Sequence, residues 1–141
     1  MQQPNTPRQH KAIKRNLYFT EDHEWIDFQG SVAYVGVCKF KLKGIKVIQK
    51  IDFAQNAQIY QAGDIIGSIY YEEYKVDIHI PVAARVASFN EEHLNGDRKV
   101  LIDQPEDNGW FALIVPTMPY ERKGLLTPQQ YQLKEKNPWQ S

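Results

Sequence analysis

Residues 61–81 read QAGDIIGSIYYEEYKVDIHIP, and this stretch decides the fold class of the chain. Gly63-Asp64 is a turn signal, because glycine supplies a positive φ and aspartate can bond its own backbone. Two runs rich in β-branched and aromatic residues follow, at 65–71 and 74–80, and such runs are typical of β-strands. Pro81 ends the second run because it lacks the N–H that a strand ladder needs. The stretch predicts an antiparallel β-hairpin.

The pairing of the two runs follows from their apolar pattern. If the chain folds back about Glu72-Glu73, Ile69 faces Val76 and the apolar side chains of both strands share one face. Glutamate does not favour the positive φ of a tight two-residue turn, so the sequence predicts a longer loop at the tip.

The predicted tip is rich in tyrosine, at Tyr70, Tyr71 and Tyr74. Tyrosine on an exposed tip can be a binding anchor, but it is also a common strand residue, and both interpretations stay open. Lys75 beside them is expected to be exposed, because burying an unpaired ammonium is unfavourable.

The rest of the chain reads as short strands separated by turn residues. Only one segment is clearly helical, and it begins with Thr127 as cap, Pro128 at the first helical position and Gln130 reaching back. Trp110 opens an apolar run and is predicted to be largely buried. The pattern predicts a mainly β sandwich or barrel with a C-terminal helix. Its further strands are expected at 32–37, 46–53, 86–89 and 110–115, with one helical turn at 40–43 and turn-rich chain at 90–109.

Composition narrows the class of protein. The 141 residues carry 17 basic and 17 acidic side chains, so the net charge is zero, which argues against nucleic-acid binding. Cys38 is the only cysteine, so no intramolecular disulfide can form, and its place beside an apolar run predicts a half-buried structural thiol. The length corresponds to one ordinary domain.

The ends of the chain are predicted to lie outside that domain. Residues 1–16 are polar and read as a flexible tail, residues 17–131 as the domain, and residues 132–141 as a C-terminal tail. The basic N-terminal segment has no apolar core of a secretory signal, and no run is long enough for a membrane span. We expect a cytoplasmic protein that does not bind membranes.

Motifs for self-contained catalysis are absent from the sequence. The four histidines have no zinc-like spacing, and there is no phosphate-binding loop or nucleophile elbow. His79 alternates with isoleucines and is expected to face solvent, and Asp22 and Glu24 are expected to be solvated charges. The sequence therefore predicts a binding or carrier module that is not an enzyme and holds no metal.

Six short segments form landmarks in a fixed order between residues 17 and 131. They are YFTEDHEW at 18–25, VAYVGV at 32–37, QAGDIIGSI at 61–69, VDIHIPV at 76–82, NGW at 108–110, and Leu125-Leu126 with Tyr131. In this order the chain resembles the H-protein of the glycine cleavage system. The resemblance implies a barrel-sandwich hybrid, the lipoyl-domain-like fold of two small sheets. It also implies a carrier, whose lipoyl arm moves an aminomethyl group between glycine decarboxylase and an aminomethyltransferase.

The resemblance breaks at the position that would hold the arm. The family has a lysine at the hairpin tip, with a glutamate three residues before it, and lipoate is joined to the lysine amine. A register without gaps that aligns Asp77 puts Glu73 at the lysine position and Tyr70 at the glutamate position. Lys75 could take the lysine's role only if the hairpin shifted by two residues on each side.

Three functions remain open from the sequence. The favoured one is an H-protein-like module that carries no lipoate and acts by protein binding, with its tip of Tyr70, Tyr71 and Tyr74. Candidate partners are glycine decarboxylase, aminomethyltransferase and lipoylation enzymes. The second is an active lipoyl carrier that uses Lys75, the only case in which a lipoate cofactor is expected. The third is an independent domain that binds a small ligand.

Overall fold

The computed structural model describes residues 15–96 and 98–136. Within them, strands form one six-stranded and one three-stranded antiparallel sheet. The strands are β1 (Leu17–Phe19), β2 (Glu24–Gln29), β3 (Val32–Val37), β4 (Lys50–Phe53), β5 (Ile59–Tyr60), β6 (Ile65–Tyr71), β7 (Tyr74–His79), β8 (Ala84–Phe89) and β9 (Ala112–Pro116).

The larger sheet has the order β1-β2-β3-β9-β8-β5, and the smaller has the order β4-β6-β7. A 3-10 helix (Lys39–Leu42) follows β3, where one helical turn was predicted. Two short helices, α1 (Glu91–Asn95) and α2 (Lys99–Asp103), precede β9, and α3 (Pro128–Lys136) comes last. Two small sheets with a C-terminal helix confirm the predicted mainly β fold class.

Apolar side chains from both sheets meet in one core. Ile69 and Ile78 of the small sheet pack in the same buried cluster as Val35, Val86 and Ile114 of the large sheet. Removing these side chains from water is the main favourable contribution to folding. The core therefore holds the middle of β6 and the Ile78 end of β7.

The hairpin of β6 and β7 has the register that its apolar pattern predicts. Ile69 pairs with Val76, and the last pair is Tyr71 with Tyr74. Only Glu72 and Glu73 lie between Tyr71 and Tyr74, so the turn has two residues and the expectation of a longer loop was wrong. Glu72 accepts the required backbone geometry by adopting a φ of +50°.

At Gly67 the hairpin lies close to Phe111, the residue just before β9. A Cβ at this position would lie 2.3 Å from the ring of Phe111, which is fully buried, and 3.1 Å from the carbonyl oxygen of Asp52. Neither neighbour is the free end of a flexible side chain. The glycine is needed for the two sheets to pack at this distance.

The C-terminal helix begins as predicted. The backbone N–H of Gln130 donates to Thr127 Oγ1 at 3.3 Å, and the backbone N–H of Thr127 donates to Gln130 Oε1 at 2.8 Å, which is a capping box. Tyr131 stacks on Phe19 with ring centroids 4.3 Å apart. The helix runs on to Lys136, past residue 131, where the sequence placed the end of the domain.

Four expectations about local structure need correction. Residues 46–49 are not in a strand, and the segment 90–109 contains α1 and α2. Cys38 is fully buried in place of the expected half-burial. Trp110 precedes β9 and is only half-buried, while its neighbour Phe111 fills the core. The apolar alternation was correct, but it did not show which of two adjacent aromatic residues points inward.

The N-terminal tail predicted at 1–16 falls mostly outside the described residues, which begin at Arg15. The Arg15 side chain is only 4% exposed, and its Nη1 lies 2.9 Å from Oδ2 of buried Asp27. Its guanidinium carbon lies 5.1 Å and 5.0 Å from the ring centroids of Trp25 and Tyr34. Arg15 is therefore part of the folded domain and not of a flexible tail.

Among the described residues, no helix has the length and apolar character that crossing a membrane requires.

Candidate functional site

The hairpin tip presents two carboxylates flanked by tyrosines. Glu72 and Glu73 are exposed, and the rings of Tyr71 and Tyr74 lie 5.6 Å apart behind them. Tyr74 is 62% exposed, whereas Tyr71 packs against the core. The tip thus combines negative charge with an accessible aromatic surface held on a rigid two-stranded support.

The backbone of Glu72 predicts a stability effect that can be measured. A non-glycine residue in the left-handed region is strained, so Glu72→Gly should raise the free energy of unfolding by about 0.5–1 kcal/mol. Glu73 has no positive φ, so the matched change Glu73→Gly should lower it by a similar amount. Urea unfolding of the three proteins measures both changes. A loss of stability in Glu72→Gly would contradict the strained turn.

The three tyrosines named from the sequence do not form one surface. Tyr70 pairs with Lys75, and alternation along the strand puts both on the face opposite Tyr71 and Tyr74. On that face Lys50 Nζ lies 5.1 Å from the ring centroid of Tyr70. A hydrogen bond to Asp52 raises the pKa of Tyr70 above its usual value.

Lys75 is exposed, as predicted, and it lies within the strand ladder. Its Nζ is 3.5 Å from Oδ1 of Asp77 on the same face. The Ser68 hydroxyl donates to that carboxylate at 2.8 Å. The hydrogen bond from Ser68, followed by the charge of Lys75, lowers the pKa of Asp77, so Asp77 is ionised at neutral pH.

Sequence reasoning missed a polar cluster at the base of the hairpin. Glu24 is buried, and its Oε2 accepts from the backbone N–H of His79 at 2.7 Å and from Lys41 Nζ at 2.6 Å. His79 Nδ1 lies 2.6 Å from Oδ2 of Asp22 and 2.9 Å from Oε2 of Glu24. The expectation of a solvated Glu24 was therefore wrong. Asp22 is 59% exposed, as expected, and His79 is 26% exposed and lies against both carboxylates.

This cluster has ligand types that a metal ion could use, since atoms of Asp22, Glu24 and His79 lie within 4.8 Å of one another. Lys41 Nζ, however, is already close to both carboxylates, at 3.3 Å from Asp22 and 2.6 Å from Glu24. The ammonium supplies the positive charge there. The arrangement is an ion-pair network that joins β2, the 3-10 helix and β7.

Comparison with known proteins identifies the family. The family model described as glycine cleavage H-protein matches residues 17–137. The chain belongs to the glycine cleavage H-protein family. It is 29% identical over 119 residues to glycine cleavage system H protein 4 of Aquifex aeolicus, covering 84% of this chain and 69% of that protein.

Other family members align with this chain over most of their length. The H protein of Anoxybacillus flavithermus is 25% identical over 121 residues, which cover 86% of this chain and 94% of that one. The crystal structure of the H protein from Mycobacterium marinum superposes with a TM-score of 0.74 at 21% identity, covering 88% of this chain and 99% of that one. The structural match supports the fold.

Family membership also answers whether the chain is an enzyme. H-proteins are lipoyl carriers that have no catalytic centre of their own, and they work with the enzymes of the glycine cleavage system. This confirms the prediction of a module without its own catalytic site. Protein partners in general are supported by the same finding.

Proposed function

We propose that this H-protein family member carries no lipoate and acts by protein binding, with its hairpin tip as one contact. The observation that carries the proposal is the pair of carboxylates at the turn, Glu72 and Glu73. Lipoate is held in an amide with an amine, and a carboxylate side chain has no nitrogen with which to form it. We further propose that the partner is a glycine cleavage or lipoylation enzyme, because an enzyme that attaches or uses a lipoyl arm must reach the tip from which the arm extends.

The surroundings of Lys75 favour this function over a carrier that uses Lys75. Lys75 lies opposite Tyr70 in the ladder, one pair below the turn. Its ammonium is engaged with Asp77, at 3.5 Å. Moving Lys75 to the apex would require a shift of two residues on each strand, which would abandon the observed pairing of Ile69 with Val76.

Lipoylation in vitro tests the proposal. A lipoylating enzyme needs an amine at the apex of the hairpin, so wild type should gain no lipoyl mass, whereas Glu73→Lys should gain some. Tyr70→Glu, which restores the family's acidic residue, should increase the modified fraction. Intact-mass spectrometry after incubation with lipoate ligase, lipoate and ATP measures each protein, and Lys75→Arg in the Glu73→Lys background excludes modification at Lys75.

Three outcomes would count against the proposal or part of it. Modification of wild type that disappears in Lys75→Arg would assign the arm to Lys75 and make the chain an active carrier. A lipoyl adduct on the protein purified from its native host would also make the chain a lipoyl carrier. Failure of Glu73→Lys to take lipoate, with a lipoylated H-protein as positive control, would remove the claim that the tip still resembles a carrier's.

A further inference from the structure

A groove beside the hairpin is positively charged, although the net charge of the chain is zero. It consists of two neighbouring depressions that share Ile102, with volumes of about 530 and 400 Å³. We call it the basic groove. Among the described residues, every charged side chain that lines these depressions is cationic, namely Lys39, Lys43, Lys46, Arg98 and Lys99.

The charge comes from an uneven distribution along the sequence. Residues 28–51 contain five lysines and neither aspartate nor glutamate. Three of these lysines line the groove, and Arg98 with Lys99, at the start of α2, lines it as well. The positive potential is therefore local, within a chain whose total charge is zero. Asp103, Glu106 and Asp107 line a neighbouring depression that shares Lys39.

The floor of the groove is apolar and open to solvent. Val47 is 71% exposed and Phe40 is 48% exposed, and Ile102 lies between them. Exposed apolar side chains that form a patch rimmed by polar residues mark sites of interaction with other proteins. A surface that bound only the phosphate backbone of a nucleic acid would not need these exposed apolar side chains.

The groove adjoins the hairpin through direct backbone contacts. The backbone N–H of Gln49 donates to the carbonyl of Tyr70 at 2.8 Å, and Arg98 Nη1 donates to the carbonyl of Gln49 at 3.1 Å. One partner could therefore contact the groove and the β6–β7 hairpin at the same time, with the hairpin presenting negative charge and the groove positive charge.

We propose that the basic groove is a docking site for an acidic amphipathic segment of a partner protein. Carboxylates of the segment pair with the lysines and Arg98, and its apolar side chains pack on Phe40, Val47 and Ile102. Charge complementarity of this kind sets the orientation and the rate of association. The proposal does not depend on whether the hairpin carries lipoate, since no groove residue belongs to the tip.

A synthetic peptide tests the site directly. The probe is a fluorescein-labelled peptide with glutamates on one helical face and leucines on the other, and binding is followed by fluorescence anisotropy. Lys43→Glu/Lys46→Glu should weaken binding by about tenfold or more. Arg85→Glu/Lys123→Glu changes two exposed cations elsewhere by the same charge and should leave binding unchanged. Chemical shifts of the labelled protein should move at 39–48 and 98–102.

The remaining arms distinguish other occupants. A peptide with serine in place of leucine should bind more weakly, as should Val47→Ser with the original peptide, because both lose apolar contact. Equal binding of a single-stranded oligonucleotide of the same charge would identify a phosphate-binding surface and overturn the proposal. A dimer in sedimentation that Lys43→Glu/Lys46→Glu dissociates would make the groove a contact between copies and also overturn it. An equal loss of peptide binding in Arg85→Glu/Lys123→Glu would also overturn the proposal.

Discussion

Trp25→Ala is expected to lower the free energy of unfolding by about 3–5 kcal/mol. The Trp25 side chain is completely buried, and its indole N–H donates to the carbonyls of Val37 at 3.1 Å and Pro105 at 2.9 Å. Alanine would leave a large cavity and two buried carbonyls without that donor, and both effects destabilise the folded state. The Trp25 ring packs directly on Gly36, where a Cβ would lie 2.6 Å from it.

Trp110→Ala is the matched control for this prediction. Trp110 is half-buried and has its ring centroid 5.0 Å from that of Tyr34, so its truncation should cost about half as much as that of Trp25. Urea or thermal unfolding of both variants gives the comparison. Equal losses, or a larger loss at Trp110, would mean that the burial of the two indoles is assigned wrongly.

Arg15→Ala is expected to have a similarly large effect, about 3–5 kcal/mol. Truncation of Arg15 leaves the carboxylate of Asp27, which is fully buried, without its cation. It also removes the guanidinium from its place between the rings of Trp25 and Tyr34. Removing one partner of a buried ion pair is much more costly than the pair's net contribution, because the remaining charge stays desolvated.

Two further variants separate the causes of this loss. Arg85→Ala removes an exposed arginine and should change stability by less than about 0.5 kcal/mol. The double variant Arg15→Met/Asp27→Leu should recover much of the loss, since neither residue leaves a buried charge. If Arg15→Ala unfolds at the same denaturant concentration as wild type, Arg15 belongs to the flexible tail that the sequence predicted.

Much of the fold could be predicted because its determinants are local. The period-2 apolar pattern along the hairpin fixes which faces of β6 and β7 meet, since a slip of one residue would turn Ile69 and Ile78 away from the core. The cap of α3 also depends on residues three apart in sequence, Thr127 and Gln130. The order of the landmarks between 17 and 131 was enough to indicate the family, which the comparison then established.

The turn of the hairpin is a case where a local rule gave the wrong answer. Glutamate is a poor residue for a two-residue turn, yet Glu72 adopts a φ of +50° because the pairs below it are held by the core. The apolar contacts of Ile69 and Ile78 outweigh a strain of about 1–3 kcal/mol at one residue. Tertiary packing therefore decides the loop length.

The sequence by itself determined the strand pattern, the helix cap, the absence of a net charge and the acidic residues at the hairpin tip. Only the tertiary structure decided which polar groups are buried. Glu24 contacts Lys41 and His79, which lie 17 and 55 residues away, and the basic groove joins the lysines after β3 to Arg98 of a distant segment. Burial and electrostatic pairing depend on distances in space. The apolar period along the chain gives no information about which distant residues become neighbours when the chain folds.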